Sequence, residues 1–159
     1  MKIAVLSDSH YETSFINDIK EYLEDIDIIL HCGDGAPDTK ALSNIFRGEI
    51  YAVKGNCDMS KEYPLERIIE VMGIKIFMTH GHMYNVKNEY NTIFYKGKEV
   101  DADIVLFGHS HKALIKEYDG LVIMNPGSIS LPYGRAKRTF GIIEILKNNK
   151  RNISIKEIE

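Results

Sequence analysis

Seven side chains of metal-binding type follow short apolar runs along this 159-residue chain. They are Asp8 and His10, Asp34, Asn56, His80, and His109 and His111. Two are carboxylates, one is an amide and four are imidazoles, so every donor is oxygen or nitrogen and no thiolate is needed. Such a set suits Mn, Fe, Zn, Ni or Co, and suits a calcium site or a cysteine-rich zinc site poorly. Seven donors exceed what one tetrahedral ion takes. With one carboxylate bridging, they supply four bonds to each of two ions. Two ions about 3.5–4 Å apart can each hold a phosphate oxygen and share a hydroxide of lowered pKa, which attacks phosphorus in line.

The elements that must position these donors read as strands. Asp103 to Phe107 is an apolar run too short for a helix, and it stops at Gly108, where a sharp turn is expected, just before His109-Ser110-His111. Ile3 to Leu6 reads as a buried strand ending in Ser7-Asp8-Ser9-His10. Asp27 to Leu30 ends in His31-Cys32-Gly33-Asp34-Gly35, and Glu49 to Val53 ends in Lys54-Gly55-Asn56-Cys57-Asp58. Between them, Thr13 or Ser14 is expected to cap a helix with Phe15, Ile16, Ile19, Tyr22 and Leu23 inward, and Pro37-Asp38 to start a short second helix. Strand, helix, strand, helix, strand implies parallel pairing with right-handed crossovers. Arg67 to Met72 and Lys75 to Thr79 flank Gly73 as a hairpin whose second arm ends in His80-Gly81-His82. A helix is predicted over 86–99. Ala113 to Tyr118 and Leu121 to Met124 surround the turn Asp119-Gly120, and a loop Asn125-Pro126-Gly127-Ser128 follows. Thr139 to Leu146 and Ile153 to Ile158 close the chain. The expected architecture is α/β, two mixed sheets packed face to face with helices outside, in one domain over residues 1–159.

Composition narrows the function classes. Twenty basic against 23 acidic residues give a net charge of −3, which argues against broad phosphate contact along a nucleic acid. Two cysteines, Cys32 and Cys57, are too few for a disulfide framework and fit a reducing cytoplasm. The N-terminus is apolar only briefly, so neither a signal peptide nor a membrane span is expected. Frequent Tyr and Met leave room for a homo-oligomer whose interface the sequence does not locate.

Asp8-Ser9-His10, Gly33-Asp34, Gly55-Asn56, His80-Gly81 and Gly108-His109-Ser110-His111 resemble, in order, the signature blocks of the calcineurin-like metallophosphoesterases. The size and the Asn125-Pro126-Gly127-Ser128 loop resemble the compact one-domain phosphodiesterase branch, which also includes the scaffold subunit of the retromer coat. The resemblance implies an αββα sandwich and two divalent transition-metal ions, Mn foremost. Asp8, His10 and His111 would hold the first ion, Asn56, His80 and His109 the second, and Asp34 would bridge. The implied activity is hydrolysis of a small phosphate ester, as a phosphodiesterase. A phosphomonoesterase of the same family and a non-catalytic scaffold on the same fold are the alternatives.

One position departs from the family pattern. Many members carry histidine directly after the asparagine, where it contacts substrate and can protonate the leaving group; here Cys57 and then Asp58 stand in that place. A thiol replaces an imidazolium poorly at neutral pH, so diesters with good leaving groups are expected over alkyl monoesters. Cys57, Asp58 and His82 join Asn56 and His80 as candidate catalytic residues, His82 either touching substrate or orienting a ligand, or else lying on the surface. His31 reads as buried and hydrogen-bonded, and Cys32 as a small core residue. The basic run Arg135, Lys137 and Arg138 is either a solvated loop or a positive lip for a phosphate ester.

Overall fold

The computed structural model describes residues 1–159. Its strands are β1 (Lys2–Leu6), β2 (Ile28–His31), β3 (Glu49–Ala52), β4 (Glu66–Val71), β5 (Ile74–Thr79), β6 (Ile104–Leu106), β7 (Leu114–Tyr118), β8 (Leu121–Asn125), β9 (Arg138–Ile145) and β10 (Arg151–Ile158). They form two five-stranded mixed sheets, in the orders β10-β9-β1-β2-β3 and β4-β5-β6-β8-β7. β1, β2 and β3 pair in parallel, as do β5, β6 and β8, while β9, β10, β4 and β7 run antiparallel to their neighbours.

Strand alternation sorts the core into three layers. Ile3, Val5, Ile28 and Leu30 from the first sheet meet Ile76, Met78, Ile104 and Leu106 from the second between the sheets. The opposite faces are covered too. Ala4, Leu6 and Ile29 pack against Phe15, Ile19 and Leu42, whereas Phe77, Val105 and Phe107 pack against Val86 and Ile93. Strands buried on both faces read as unbroken apolar runs, which is why β1, β2 and β6 stand out in the sequence.

The helices are shorter than expected. α1 spans Phe15–Ile19 and gives way to a 3₁₀ turn at Tyr22–Asp25, and the Ser14 side chain makes no cap bond. Instead Glu12 Oε1 accepts the Ser14 amide. Pro37 and Asp38 lie in a 3₁₀ turn before α2 (Thr39–Leu42), because the Asp38 carboxylate is taken by Ser9 and the Tyr11 amide. α3 spans Asn91–Glu99, not 86–99. Val86 is buried from a turn, and Glu89 accepts the Thr92 amide and hydroxyl, which fixes the later start. No helix is long and apolar enough to cross a membrane.

Candidate metal centre

β1, β2, β3, β5 and β6 all end at one rim of the sandwich, and six of the seven donors gather there in triads of closely spaced ligand atoms. Asp8, His10 and His111 each offer a ligand atom within 4.8 Å of the others, and so do Asp34, His80 and His109. Asp34 reaches both groups: its Oδ2 lies 3.2 Å from His80 Nε2 and 3.9 Å from His10 Nε2. Asp8 Oδ1 is equally central, 3.2 Å from His111 Nε2, 3.8 Å from His10 Nε2 and 3.9 Å from His80 Nε2.

Each central atom is aimed by a partner on its far side. Asp8 Oδ2 accepts from Ser7 Oγ at 2.6 Å and from the His109 amide at 3.1 Å, which turns Oδ1 inward. Asp34 Oδ1 accepts the Cys57 amide at 2.8 Å. The Cys32 carbonyl accepts from His80 Nδ1 at 2.8 Å, and the Leu131 carbonyl accepts from His111 Nδ1. A carbonyl can only accept, so Nδ1 carries a proton in both rings and Nε2 is the nitrogen that each ring turns to the cluster.

The donors also sit on an unusual backbone. Asp8, His10, Asp34, His109 and His111 all have φ between 49° and 69°, the left-handed region that residues with a Cβ rarely occupy. Gly108 precedes two of them for a reason other than the expected turn freedom. A Cβ there would collide with Ser7 Oγ and Asp8 Oδ2, so the position is glycine because β1 and β6 approach closely.

The charges are set by the same contacts. Burial pushes the Asp8 carboxyl up, but His111, His80 and Ser7 outweigh it and hold it below the usual range. Asp34 is likewise held low against burial, chiefly by His80. His80 is raised despite burial because Asp34 and Asp8 face it, and His111 is raised first by Asp8. His109 is pushed down to about 4 by burial, then by His80 and Lys87.

Two buried atoms at the centre, Asp8 Oδ1 and His80 Nε2, have no hydrogen-bond partner. Leaving such atoms unpaired in the interior costs free energy. A divalent cation beside each satisfies them both, and carboxylate and imidazole are the donors such a cation takes. The residues present therefore fit a metal.

The remaining candidates occupy different places. The Asn56 amide is exposed, with Nδ2 3.6 Å from Cys57 Sγ. Cys57 Sγ lies within 4.8 Å of ligand atoms of His10 and Asp34, and its thiol is raised by burial and then by Asp34. The His82 ring centroid is 5.5 Å from that of His80 and 6.2 Å from that of His109, and its buried Nδ1 is unpartnered. Asp58 faces away from the cluster. Its carboxylate accepts the amides of Asp34, Gly35 and Gly55 and the Tyr11 hydroxyl, so it clamps loops and has no free oxygen edge for a substrate. His31 is buried and bonded: Nδ1 accepts the Gly33 amide, so Nε2 carries the proton and donates to Ser9 Oγ, which donates to Asp38. Lys137 and Arg138 pair with Glu157 and Asp18, which leaves them little part in a positive lip.

Sequence reasoning missed the supports. Asn125 is fully buried, donates to the Gly108 carbonyl and Ser110 Oγ, and accepts the Gly127 amide. Ser128 Oγ donates to the Asp8 carbonyl. An amide at the end of an apolar strand before Pro-Gly was the one available signal. Lys87 and Lys112, which line a cavity beside His109 and His111, carried none.

Known proteins share this frame. The relative named "Probable metallophosphoesterase YsnB" of Bacillus subtilis is 34% identical over 147 residues, covering 91% of this chain and 85% of the relative. "Phosphodiesterase MJ0936" of Methanocaldococcus jannaschii is 29% identical over 171 residues, covering 96% and 98%. Vps29 of Entamoeba histolytica, solved with zinc, matches with a TM-score of 0.77 at 23% identity and covers 99% of each chain, a likeness of fold. The description "Calcineurin-like phosphoesterase superfamily domain" matches residues 1–148. With the αββα sandwich and the clustered donors at its rim, this chain belongs to the calcineurin-like phosphoesterase superfamily.

Proposed function

We propose that the chain is a dimetal phosphodiesterase acting on a small phosphate ester, with residues 1–159 as one catalytic domain. The observation that carries this reading is the orphaned pair Asp8 Oδ1 and His80 Nε2, buried where two donor groups meet around Asp34. Asp8, His10 and His111 would hold one ion, Asn56, His80 and His109 would hold the other, and Asp34 lies within reach of both groups. When bound, such ions supply Lewis acidity to a phosphoryl group and lower the pKa of a water. Manganese is the first candidate, with zinc, nickel, iron and cobalt as alternatives.

The chain's own residues orient and protect this chemistry. The Cys32 and Leu131 carbonyls keep the His80 and His111 Nε2 atoms turned inward. Asp58 ties the loop of Asp34 to that of Asn56 through backbone amides, so the donors from β2 and β3 keep their spacing. His82, beside His80 and His109, is placed to touch substrate or to orient those rings, and burial lowers its own imidazole. Burial and then Asp34 raise the Cys57 thiol, which makes it a poor nucleophile and a weak acid for a departing alkoxide. That combination favours diesters whose leaving group departs without much proton help. A phosphomonoesterase would need that help more. The Vps29 likeness favours a second reading, a binding scaffold that keeps metal without turnover.

The test is hydrolysis of a chromogenic aryl phosphodiester by metal-stripped protein, before and after adding Mn²⁺, with Asn56→Ala as control. Mn²⁺-dependent turnover that is lost in Asn56→Ala is expected. Folded protein that shows no turnover with Mn²⁺, Ni²⁺, Co²⁺ or Zn²⁺ overturns the enzyme and leaves the scaffold.

A further inference from the structure

The cavity beside the metal centre is asymmetric in charge. It has a volume of about 470 Å³, and its lining includes His109 and His111 together with Lys87, Lys112 and Tyr133. No acidic side chain lines it. Neither lysine is in an ion pair, whereas Lys40, Lys98 and Lys137 each pair with a carboxylate elsewhere on the surface. Two lysines outside any ion pair thus line one cavity in a chain whose net charge is −3. The other flank of the cluster is the opposite: Tyr11, Cys57 and Asp58 meet there, and the Tyr11 hydroxyl is tied to the Asp58 carboxylate.

The position of Lys112 is defined. Its Nζ lies 4.1 Å from the centroid of the Tyr133 ring, a cation–π contact that holds the tip of an otherwise mobile side chain. The Tyr133 amide donates to the His111 carbonyl at 3.3 Å, so the ring is anchored to the strand end that carries the donor. The cavity adjoins His109 and His111, so it is open to an arm of an ester bound there, and its lysines attract an anionic arm.

We propose that Lys87 and Lys112, with Tyr133 as the residue that positions Lys112, form a subsite for a second phosphate group carried by the substrate. The proposal rests on the phosphodiesterase reading. It narrows the substrate to a phosphodiester bearing another phosphate on one arm, as a nucleotide-type diester does. Recognition here is charge-assisted hydrogen bonding from ammonium to phosphate oxygen, and the arm's own ring or sugar is not selected.

The test compares thymidine 5′-(p-nitrophenyl phosphate) with the same ester phosphorylated at its 3′ hydroxyl. The leaving group is identical and only the second phosphate differs. The expected result is about tenfold higher kcat/KM for the 3′-phosphorylated ester, carried by KM. In Lys87→Met/Lys112→Met the ratio falls towards one. Tyr133→Phe keeps the ratio, Tyr133→Leu lowers it, and Arg135→Gln/Lys137→Gln leaves it alone. Equal hydrolysis of the two esters by the unaltered protein overturns the proposal. So does a ratio that survives loss of both lysines, or a parallel fall for both esters, which would place the lysines on the scissile phosphate. Calorimetry reads the subsite without turnover, by comparing thymidine 3′,5′-bisphosphate with thymidine 5′-phosphate on metal-loaded protein. Tighter binding of the bisphosphate that vanishes in the lysine variant supports the subsite even if no ester is hydrolysed; equal binding overturns it. Absence of turnover alone therefore counts against the phosphodiesterase reading and leaves this test standing.

Discussion

The two sheets contribute unlike halves to the cluster. The first sheet delivers both carboxylates and the amide, with His10 as its one imidazole among the donors, while the second delivers imidazoles only: His80, His109 and His111. Each half is locked by the other. The Asp8 carboxylate of the first sheet is held by the His109 amide of the second, and the His80 ring of the second is held by the Cys32 carbonyl of the first. Facing acids and imidazoles then shift one another, Asp8 and Asp34 down and His80 and His111 up. A site divided this way forms only when the sandwich closes. Its donors are far apart in sequence because they come from opposite layers of the core.

The comparison is broken most severely at Asp34, a carboxylate that, like Asp8, reaches both halves. Asp34→Asn is expected to lose about 100-fold or more in turnover, since even residues that only orient ligands cost about 10–100-fold. Metal content per chain, measured by plasma emission spectrometry, should fall with it. Full metal content at full activity would show that the halves do not share this residue. Asn125→Ala comes next. It frees the Gly108 carbonyl, Ser110 Oγ and the Gly127 amide, and should cost about 1–3 kcal/mol in urea unfolding and about 10-fold in metal affinity. Unchanged affinity would place the imidazole half beyond the reach of its buried support.

Cys57→His sharpens the contrast on the acidic flank. It supplies the proton donor that the thiol lacks, and should raise hydrolysis of alkyl monoesters about tenfold with less effect on aryl diesters. No rise in monoester hydrolysis would exclude leaving-group protonation from this position. The smallest effect concerns His31, the buried histidine of the first sheet, which sits in the neutral form. Burial lowers it from the usual 6.5 to about 4. The unfolded chain therefore binds a proton that the folded chain refuses between those values, and stability falls as pH drops from about 6.5 towards 4. Metal-free protein should lose stability over that interval, and His31→Gln should lose less. Equal acid sensitivity in the two would assign the effect to other groups.

The rim of the fold was legible because its signal is local. A strand buried on both faces is a short apolar run, and a donor beside a glycine at its end needs no distant partner to be noticed; β1, β2 and β6 show this. The helices were less legible because tertiary bonds overrode local pattern. Asp38 serves Ser9 and Tyr11 rather than a helix, and Glu89 delays α3. Asn125, Ser128 and Lys112 were illegible for a related reason. Their roles lie in contacts with residues such as Gly108, Asp8 and Tyr133, which no spacing along the chain encodes.

The left-handed backbone at Asp8, His10, Asp34, His109 and His111 sets stability against function at those positions. A non-glycine residue in that region costs on the order of 1 kcal/mol, and glycine removes the cost. At each of these positions the change that relieves the fold also deletes a donor. Selection for thermal endurance of the metal-free chain would drift towards glycine along the rim and yield a sturdier sandwich with nothing at its mouth. Ions bound at this rim would bind only the folded form and so would offset the strain.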